Sequence, residues 1–316
     1  MPGELFPGGR RVKLYYLGPL GSFTYQAALQ VSAYVPDVQL ASCGTERELL
    51  DHIERGEGQG ILAWENNVEG YVAPNLDKLI DAHNVAGIGR ISVDVIFDAY
   101  VRPDHTELTE VTAHPHGLAQ CLNFAQERGL RPVPAHSNTA ACENLEAHQV
   151  ALAPRGNAER FALDVYAQGV QDYSGAHTDF LHLASREDAL RVSGVLRENN
   201  AACESILTVI PLYTGPGVIA NLLDVFRDNG VNMTSLISRP IKAVDGTYSF
   251  IMTLDAAPWD DSMSQVLDEV RAHGDWVKIL AVYPRYEVQK IPVVDWNLPH
   301  LGVNPMLYMS YAGEER

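Results

Sequence analysis

The chain has 316 residues, of which 46% are hydrophobic and 20% are charged, and its formal net charge at pH 7 is −17. This composition argues against wholesale disorder, and the length indicates two domains. An acidic chain repels nucleic-acid phosphates and anionic lipid, which disfavours those partners, whereas a small anionic ligand stays possible where arginine, lysine or helix-start N–H groups supply local positive potential.

The N-terminal part alternates predicted strands and helices. Strands are predicted at 13–17, 38–41 and 60–64, separated by helices at 23–31 and 45–55. This order is typical of an α/β layer with a parallel sheet. The pattern continues with a helix at 74–81, a strand-rich stretch at 88–101, helices that begin at 114 and 138, and strands at 150–153 and 180–183.

The C-terminal part has a different pattern. After a polar, weakly patterned stretch the predicted order is β (205–212), α (217–228), β (232–239), β (246–254), α (260–273) and β (276–286). That order is the ferredoxin-like βαββαβ unit, which occurs in many small modules and says little about function by itself. The predicted boundaries are an α/β domain at 11–190, a linker at 191–203, a ferredoxin-like domain at 204–288 and a tail at 289–316.

The four cysteines have no C-x-x-C spacing, and the histidines have no metal-ligand spacing. We therefore expect no metal site and four buried free thiols, which is typical of a reducing cytosol. Residues 1–11 lack an apolar stretch long enough for a signal peptide, and no run approaches the ~18 apolar residues of a membrane helix. These features predict a cytoplasmic location.

Small polar side chains cluster around turns and helix starts in four segments of the first 190 residues: 18–24, 65–70, 137–139 and 177–180. Each segment lies next to a predicted strand. Ligands of open α/β sheets bind at strand ends, where helix starts present N–H donors. Any one segment is compatible with an ordinary helix cap. Together they predict a carboxylate-binding site.

The same segments carry a resemblance to prephenate dehydratases. The motifs occur in the family's order: GP-x-GSFTYQAA at 18–28, WENNVEGYV at 64–72, AHPHGLAQC at 113–121, SNTAA at 137–141 and HTDF at 177–180. TGPGVIANLLDVF at 214–226 and NMTSLISRPI at 232–241 resemble the amino-acid-sensing ACT domain that these enzymes carry. The resemblance covers about residues 13 to 286, and its ordered set of motifs is highly specific.

The resemblance implies an α/β fold with a two-lobed catalytic domain, similar to periplasmic binding proteins, followed by the ferredoxin-like ACT domain. It implies a carbon–oxygen lyase that removes CO2 and the ring hydroxyl from prephenate to give phenylpyruvate in phenylalanine biosynthesis. No metal or organic cofactor is implied. The implied partners are the small-molecule substrate, phenylalanine as an effector, and further copies of the chain in a homodimer or homotetramer.

Residue by residue, the resemblance assigns catalysis to Thr178, at the leaving hydroxyl, to the pair Glu65 and Asn66, and to Gln120. The expected substrate-binding residues are Ser22, Thr24, His114, Ser137, Asn138, Thr139, Asp179 and Phe180. The expected effector-binding residues are Gly215, Pro216, Gly217 and Val218 in a turn that begins at Thr214, and Asn232, Met233, Thr234 and Leu236 in a facing strand. His114, His116, His136 and His177 flank the motifs and offer a further source of acid or positive charge.

Three positions depart from the family's pattern. Asp179 stands where the family usually has Arg, Ala113 replaces Ser or Thr before His-Pro, and Ile237 replaces Glu before Ser-Arg-Pro. One unit charge pair at ~5 Å and an effective dielectric of ~20 is worth about 3 kcal/mol. If the family's Arg binds substrate, the exchange should weaken dianion binding. If that Arg pairs within the protein, a compensating exchange elsewhere leaves the reaction intact.

These departures keep alternatives open. Asp179 could meet the ammonium group of arogenate in an arogenate dehydratase, and loss of the donor at Ala113 could favour a prephenate decarboxylase whose product is not aromatic. A non-catalytic amino-acid sensor is a further alternative, although a sensor has no need of a leaving-group acid such as Thr178. Because Ile237 replaces a carboxylate, phenylalanine is expected to bind with a weakened effect on activity.

Overall fold

The computed structural model describes residues 12–213, 215–241 and 246–285. The first part consists of strands β1 (Val12–Leu17), β2 (Val38–Cys43), β3 (Gln59–Asn66), β4 (Gly70–Tyr71) and β5 (Val85–Asp94), and helices α1 (Phe23–Ser32), α2 (Glu46–Glu54) and α3 (Ala73–Asp81). β1 pairs in parallel with both β2 and β3, which confirms the predicted parallel layer. β4 forms a short antiparallel pair with the end of β3.

A second sheet follows, with strand order β10-β6-β9-β7-β8. Its elements are β6 (Phe97–Val101), β7 (Glu110–Ala113), α4 (Pro115–Ala119), α5 (Leu122–Glu127), β8 (Arg131–Pro134), α6 (Asn138–Glu143), β9 (Gln149–Pro154), α7 (Asn157–Phe161) and β10 (Asp164–Ala167). β7 pairs in parallel with β8 and β9. This second lobe has a core of its own, in which Phe97, Val111 and Leu152 are buried together.

Strand β11 (His177–Ser185) returns the chain to the first sheet, where it lies antiparallel between β3 and β5. The first lobe is therefore discontinuous in sequence, and the chain crosses between the lobes before Phe97 and again before His177. The expected two-lobed catalytic domain is confirmed. Residues at the start of β11 lie at the second crossing, which is where the polar segment at 177–180 was noted.

The rest of the described chain forms α8 (Arg186–Glu198), β12 (Cys203–Ile210), α9 (Val218–Asp228), β13 (Met233–Pro240), β14 (Tyr248–Leu254), α10 (Asp261–Ala272) and β15 (Trp276–Pro284). The strand order β13-β14-β12-β15 confirms the predicted βαββαβ unit, here called the C-terminal unit. The stretch predicted as a linker begins inside α8, whose first turn is capped by the Ser185 side chain. The predicted tail at 289–316 lies outside the described residues.

The C-terminal unit joins the first lobe through one strand contact. β15 runs parallel to β5, with Ala281 opposite Gly87. A Cβ on Gly87 would lie 2.6 Å from the Cβ of Ala281, so only glycine permits this approach of the two strands. The result is a continuous sheet in the order β13-β14-β12-β15-β5-β11-β3-β1-β2.

Two cores cover the faces of the first lobe's sheet. One packs Leu14, Ala27 and Phe180 beneath α1. The opposite face packs Leu181 against α2, α3 and residues of the C-terminal unit such as Tyr283. Successive residues of β11 thus serve different faces, as the alternation of a strand requires.

The four cysteines are buried and free, as expected. Within residues 12–213, 215–241 and 246–285, none of the helices combines the length and the apolar composition needed to cross a bilayer.

His182 provides a test of the packed state. Burial lowers the pKa of its imidazole to about 3, and the neutral ring lies 2.8 Å from Gln59 Oε1. The unfolded chain gains a proton near pH 6.5 whereas the folded chain does not, so stability is lost as the pH falls below 6.5. Between pH 7 and pH 5 this residue alone should cost about 2 kcal/mol of unfolding free energy.

Urea unfolding of wild type and His182→Gln at pH 7 and pH 5 measures this loss. The variant should lack it, while His105→Gln, which changes an exposed histidine, should keep it. Equal pH dependence of unfolding in wild type and His182→Gln would show that His182 is not held neutral.

Candidate active site

The central contact of the site joins Thr178 on β11 to Asn66 on β3, which are directly opposite each other in the sheet. Asn66 Oδ1 accepts the backbone N–H groups of Val68 and Glu69, each at 2.9 Å. Since this fixes the amide oxygen, Asn66 Nδ2 must face Thr178, and it donates to Thr178 Oγ1 at 3.0 Å. The Thr178 hydroxyl is therefore an acceptor towards Asn66 and can donate its proton elsewhere.

Glu69, in the turn between β3 and β4, connects this pair to the second lobe. Its carboxylate accepts from Gln120 Nε2 at 2.6 Å and lies 2.9 Å from His116 Nδ1. Gln120 ends α4, and His116 lies within α4. A chain of hydrogen bonds therefore runs from Thr178 through Asn66 and Glu69 to Gln120, across the junction of the two lobes.

Two helix starts of the second lobe lie side by side near this bridge. His114 precedes α4, and its backbone N–H donates to Asn138 Oδ1 at 2.9 Å. A Cβ at Gly117 would lie 2.5 Å from Asn138 Oδ1, so glycine is needed for the two helices to meet. Burial, with His116 adding to it, lowers the pKa of His114 and favours its neutral form. Ser137 caps α6, with its Oγ accepting from Ala140 N at 2.9 Å.

Another connection between the lobes involves Asn157 at the start of α7. Asn157 Nδ2 donates to Pro154 O at 2.7 Å and to Gly21 O at 3.3 Å. Gly21 has a φ of +88°, and a Cβ there would lie 2.6 Å from Asn157 Oδ1. Glycine is therefore needed both for the backbone conformation and for the close approach of Asn157. The next residue, Ser22, caps α1 by accepting from Tyr25 N at 3.2 Å. Thr24 lies half-buried in the first turn of α1.

Three buried polar atoms around this junction have no hydrogen-bond partner among the described residues: Gln120 Oε1, Thr139 Oγ1 and Asn157 Oδ1. Leaving such an atom unsatisfied costs free energy, and native proteins contain few of them. Each lies in or beside a segment that follows a strand or opens a helix. Each of these atoms is therefore a candidate to form a hydrogen bond with a bound polar ligand.

The structure corrects the expectation that Glu65 acts as a pair with Asn66. Adjacent strand residues face opposite sides, and Glu65 lies on the face away from Thr178, opposite Tyr71 and Asp179 in the sheet. Its pKa is raised chiefly by burial and further by the Asp179 charge, while a hydrogen bond with Tyr71 lowers it. Burial raises the pKa of Tyr71 to about 12, and the Tyr71 hydroxyl lies 2.6 Å from Ser235 Oγ.

Asp179 and Phe180 also lie elsewhere than expected. Asp179 is 3% exposed and is hydrogen-bonded and ion-paired to Arg90, on the strand face opposite to Thr178. Phe180 is buried in the core beneath α1. Neither side chain is free to contact a substrate at the lobe junction, because one is neutralised by an arginine and the other packs against apolar residues.

The expected effector turn lines a pocket of about 280 Å³ in the C-terminal unit. Gly215, Gly217 and Val218 line it, Pro216 belongs to the same turn, and Thr214 lies outside the described residues. Gly217, with a φ of +89°, precedes α9, and within the described part of the chain no side chain caps this helix. The facing wall within this chain consists of Tyr248 and Phe250 of β14.

The strand that was expected to face this pocket makes other contacts. Asn232 Nδ2 donates to Asp255 Oδ2 at 2.6 Å, and Thr234 Oγ1 donates to Thr253 O at 3.3 Å. Met233 packs on the core of the C-terminal unit, and Leu236 is exposed. These residues belong to β13 or its approach, which is the outermost strand in the described part of the sheet.

Away from the lobe junction, Cys43, Glu48 and His52 bring potential metal-ligand atoms within 4.8 Å of one another. Glu48 Oε2 already accepts from Gly44 N at 2.8 Å, as part of the cap of α2. Burial raises the pKa of the Cys43 thiol to about 11, which opposes formation of a thiolate ligand. The grouping is explained by helix capping and core packing.

Comparison with known proteins identifies the fold and its motifs. A family model of prephenate dehydratase matches residues 14–188. The prephenate dehydratase of Amycolatopsis methanolica is 30% identical over 86% of this chain and 88% of that protein. The bifunctional chorismate mutase/prephenate dehydratase of Aquifex aeolicus is 28% identical over 89% of this chain and 76% of that protein. A crystal structure of prephenate dehydratase from Arthrobacter aurescens in complex with L-Phe has a TM-score of 0.77 at 25% identity, covering 95% of this chain and 97% of that one. The chain belongs to the prephenate dehydratase family.

Two of the departures from the prephenate dehydratase family pattern, Ala113 and Ile237, are apolar side chains that pack in hydrophobic cores. Ala113 is fully buried in the core of the second lobe. Ile237 packs, together with Tyr71, on the core between the first lobe and the C-terminal unit. The charge reversal at Asp179 is matched by Arg90, an internal cation on the adjacent strand.

Four residues of the structural site were not assigned from the sequence: Glu69, His116, Asn157 and Arg90. Glu69 lies inside the quoted motif at 64–72, and His116 was noted only as a flanking histidine. Asn157 follows the strand at 150–153, so its position at a strand end could have indicated a role. Arg90 is one of two charged residues in β5, the other being Asp94 at its end, and nothing in the local pattern distinguishes it.

Thr139 provides a test of the unsatisfied atoms. Its hydroxyl is buried and has no hydrogen-bond partner among the described residues, so Thr139→Val should not lower the melting temperature. If the hydroxyl binds substrate, kcat/KM for prephenate should fall by about tenfold or more, the usual size for a lost hydrogen bond to a charged group. Steady-state kinetics and thermal unfolding measure both effects.

Thr208→Val is the matched control, since Thr208 Oγ1 is also buried with no partner in the described part of the chain but belongs to the C-terminal unit. It should leave both melting temperature and kcat/KM unchanged. A Thr139→Val protein with wild-type kcat/KM would remove Thr139 from the substrate site.

Proposed function

We propose that this chain converts prephenate to phenylpyruvate at the junction of its two lobes, with Thr178 assisting departure of the ring hydroxyl. The observation that carries this proposal is the fixed Asn66 amide, which donates to Thr178 Oγ1 at 3.0 Å. With its acceptor side used by Asn66, the Thr178 hydroxyl can donate to the leaving oxygen. Aromatisation of the ring supplies much of the driving force, so the protein mainly needs to orient the substrate.

The unsatisfied atoms suggest how the substrate is held. The Thr139 hydroxyl can donate to a carboxylate, whereas the Gln120 and Asn157 amide oxygens can only accept, and therefore suit the hydroxyl of the substrate. His116 beside Glu69 adds a cation when it is protonated. These groups all belong to the second lobe, whereas Thr178 belongs to the first, so a substrate that contacts both would hold the two lobes together.

The surroundings of Asp179 favour prephenate over arogenate. An ammonium group needs an accessible carboxylate, but Asp179 is buried and already paired with Arg90. The fixed Asn66–Thr178 pair in turn favours an enzyme over a pure sensor, because an oriented hydroxyl donor at a lobe junction serves a leaving group and is not needed for amino-acid sensing.

Thr178→Ala tests the assignment. The variant should lower kcat by about 100-fold with a smaller change in KM, as expected for a group that acts mainly in the transition state. Thr178→Ser keeps the hydroxyl and should retain most of the activity. The assay follows phenylpyruvate formed from prephenate at neutral pH.

The product of the wild-type protein separates the alternatives. Phenylpyruvate supports the proposed dehydratase, a non-aromatic keto acid would indicate decarboxylation without loss of the hydroxyl, and absence of turnover would favour the sensor. Wild-type kcat in Thr178→Ala would make Thr178 a structural residue.

We also propose that phenylalanine regulates the chain through an ACT-type C-terminal unit. The pocket beside Gly217 combines uncapped N–H groups at the start of α9 with an aromatic wall, which suits a carboxylate next to an apolar side chain. The related structure from Arthrobacter aurescens holds L-Phe. Since Ile237 packs in the core where the family has a carboxylate, we expect binding with a reduced effect on activity.

Self-association through this unit is part of the same proposal. β13 is the outermost strand of the described sheet, and the large apolar side chains of Leu212, Tyr213, Leu236 and Tyr248 are exposed on the C-terminal unit. An uncovered strand edge beside apolar side chains favours pairing with a second copy. We therefore expect a homodimer or homotetramer. The buried free cysteines are consistent with the reducing cytoplasm as its location.

Gly217→Val tests the effector pocket. Millimolar phenylalanine should raise the melting temperature of the wild type, because a ligand of the folded state stabilises it, and Gly217→Val should abolish the rise. Gly230→Val is the matched control, since Gly230 also has a positive φ and lies at the other end of α9. Gly230→Val should lose stability to a similar degree, but phenylalanine should still raise its melting temperature.

If phenylalanine, tyrosine and tryptophan all leave the melting temperature of the wild type unchanged, the C-terminal unit does not sense aromatic amino acids. Sedimentation of the same samples at micromolar concentration measures assembly, and a clean monomer would contradict the expected homo-oligomer.

A further inference from the structure

The strand that carries Thr178 is held on its other face by a buried polar cluster. Asp179 follows Thr178 directly, and its carboxylate is hydrogen-bonded to Arg90, whose position on β5 is opposite Leu181. His177 Nε2 lies 4.0 Å from the same carboxylate. The side chain next to the proposed leaving-group donor is therefore fixed from the neighbouring strand.

The cluster extends into the C-terminal unit. Arg90 Nη1 lies 3.3 Å from Glu204 Oε1 at the start of β12, and the Tyr283 hydroxyl of β15 donates to the same Glu204 oxygen. One guanidinium thus holds two carboxylates, one from the catalytic strand and one from the C-terminal unit. Without Arg90 the buried carboxylate of Asp179 and the half-buried carboxylate of Glu204 would lose the cation that they share.

We infer that Arg90 is a positioning residue for the reaction: by pairing with Asp179 and Glu204, it fixes the start of β11 against the C-terminal unit and so places the Thr178 hydroxyl. This inference rests on the proposed function of Thr178. Arg90 does not contact the substrate, since it lies on the strand face opposite to Thr178.

The geometry explains why a charge reversal within the catalytic motif is tolerated. The Coulomb energy of an ion pair is the same whichever strand carries the positive charge. A cation at 90 with an anion at 179 can therefore replace the reverse arrangement, provided that Glu204 still finds a donor. A misplacement of ~1 Å at a reacting group can cost about 100-fold in rate, so the loss of this clamp should be seen in kcat.

The experiment compares phenylpyruvate formation in full-length variants. Arg90→Met combined with Asp179→Asn removes both charges without leaving an unpaired carboxylate at 179, so the protein should fold. Its kcat should fall by about tenfold or more while KM changes by less than about threefold, since positioning and not substrate binding is lost. Arg90→Lys keeps the positive charge but loses the forked geometry of the guanidinium. Its kcat should lie between that of the double variant and that of the wild type.

Rescue separates positioning from general stability. Arg90→Glu combined with Asp179→Arg restores an ion pair in the reverse order and should recover at least half of the wild-type kcat. The matched control is Arg131→Met with Glu110→Gln, which removes an ion pair between the far ends of β7 and β8. That control should keep wild-type kcat.

Two results would overturn the inference in a wild type that is active on prephenate: wild-type kcat in the neutral pair, or a folded reversed pair that is as slow as the neutral pair. Failure of the proposed function is distinguishable, because the wild-type protein itself would then form no phenylpyruvate.

Discussion

The placement of β11 is the constraint on which the rest of the molecule depends. This strand closes the first lobe between β3 and β5, although the second lobe separates it in sequence from both. Its alternation directs Phe180 into the core beneath α1 and Leu181 into the core shared with the C-terminal unit. A shift of one residue would exchange the faces of Thr178 and Asp179, placing a carboxylate at the lobe junction and a hydroxyl in the ion-pair cluster. Two separate cores therefore fix the register that the site needs.

Net charge and local charge have different consequences in this chain. The formal charge of −17 disfavours polyanionic partners, yet the unsatisfied groups around the lobe junction are neutral amides and a hydroxyl, which add no negative charge there. The strongest charge pairing near the site is Arg90 with Asp179, and it lies behind the catalytic strand. The Asp179 carboxylate is consequently occupied by an internal ion pair, away from the face of β11 that carries Thr178.

Sequence patterns predicted the features that depend on neighbours in the chain. The helix caps at Ser22 and Ser137, the parallel first layer and the βαββαβ order all follow from local spacing, and the structure confirms them. Arg90 and Asn157 could not be placed in this way, because their partners lie 89 and 136 residues away. The pairing of Glu65 with Asn66 fails for a simpler reason: neighbouring residues of a strand point to opposite faces, so one motif serves two surfaces.

Because Glu65 and Asn66 face opposite sides of β3, this strand connects the Asn66–Thr178 contact with the C-terminal unit. Asn66 orients Thr178 on one face of β3, while on the other face Glu65 lies opposite Tyr71, whose hydroxyl meets Ser235 of β13. β13 also holds the first lobe through Arg239, which pairs with Asp77 of α3 at 2.9 Å. A displacement of β13 would therefore reach the residue beside Asn66 through one hydrogen bond and one strand pairing. Packed interfaces of this kind move between discrete arrangements more readily than they deform. In the proposed function, an effector that shifts β13 would change the orientation of Asn66 and, through it, the direction of the Thr178 hydroxyl.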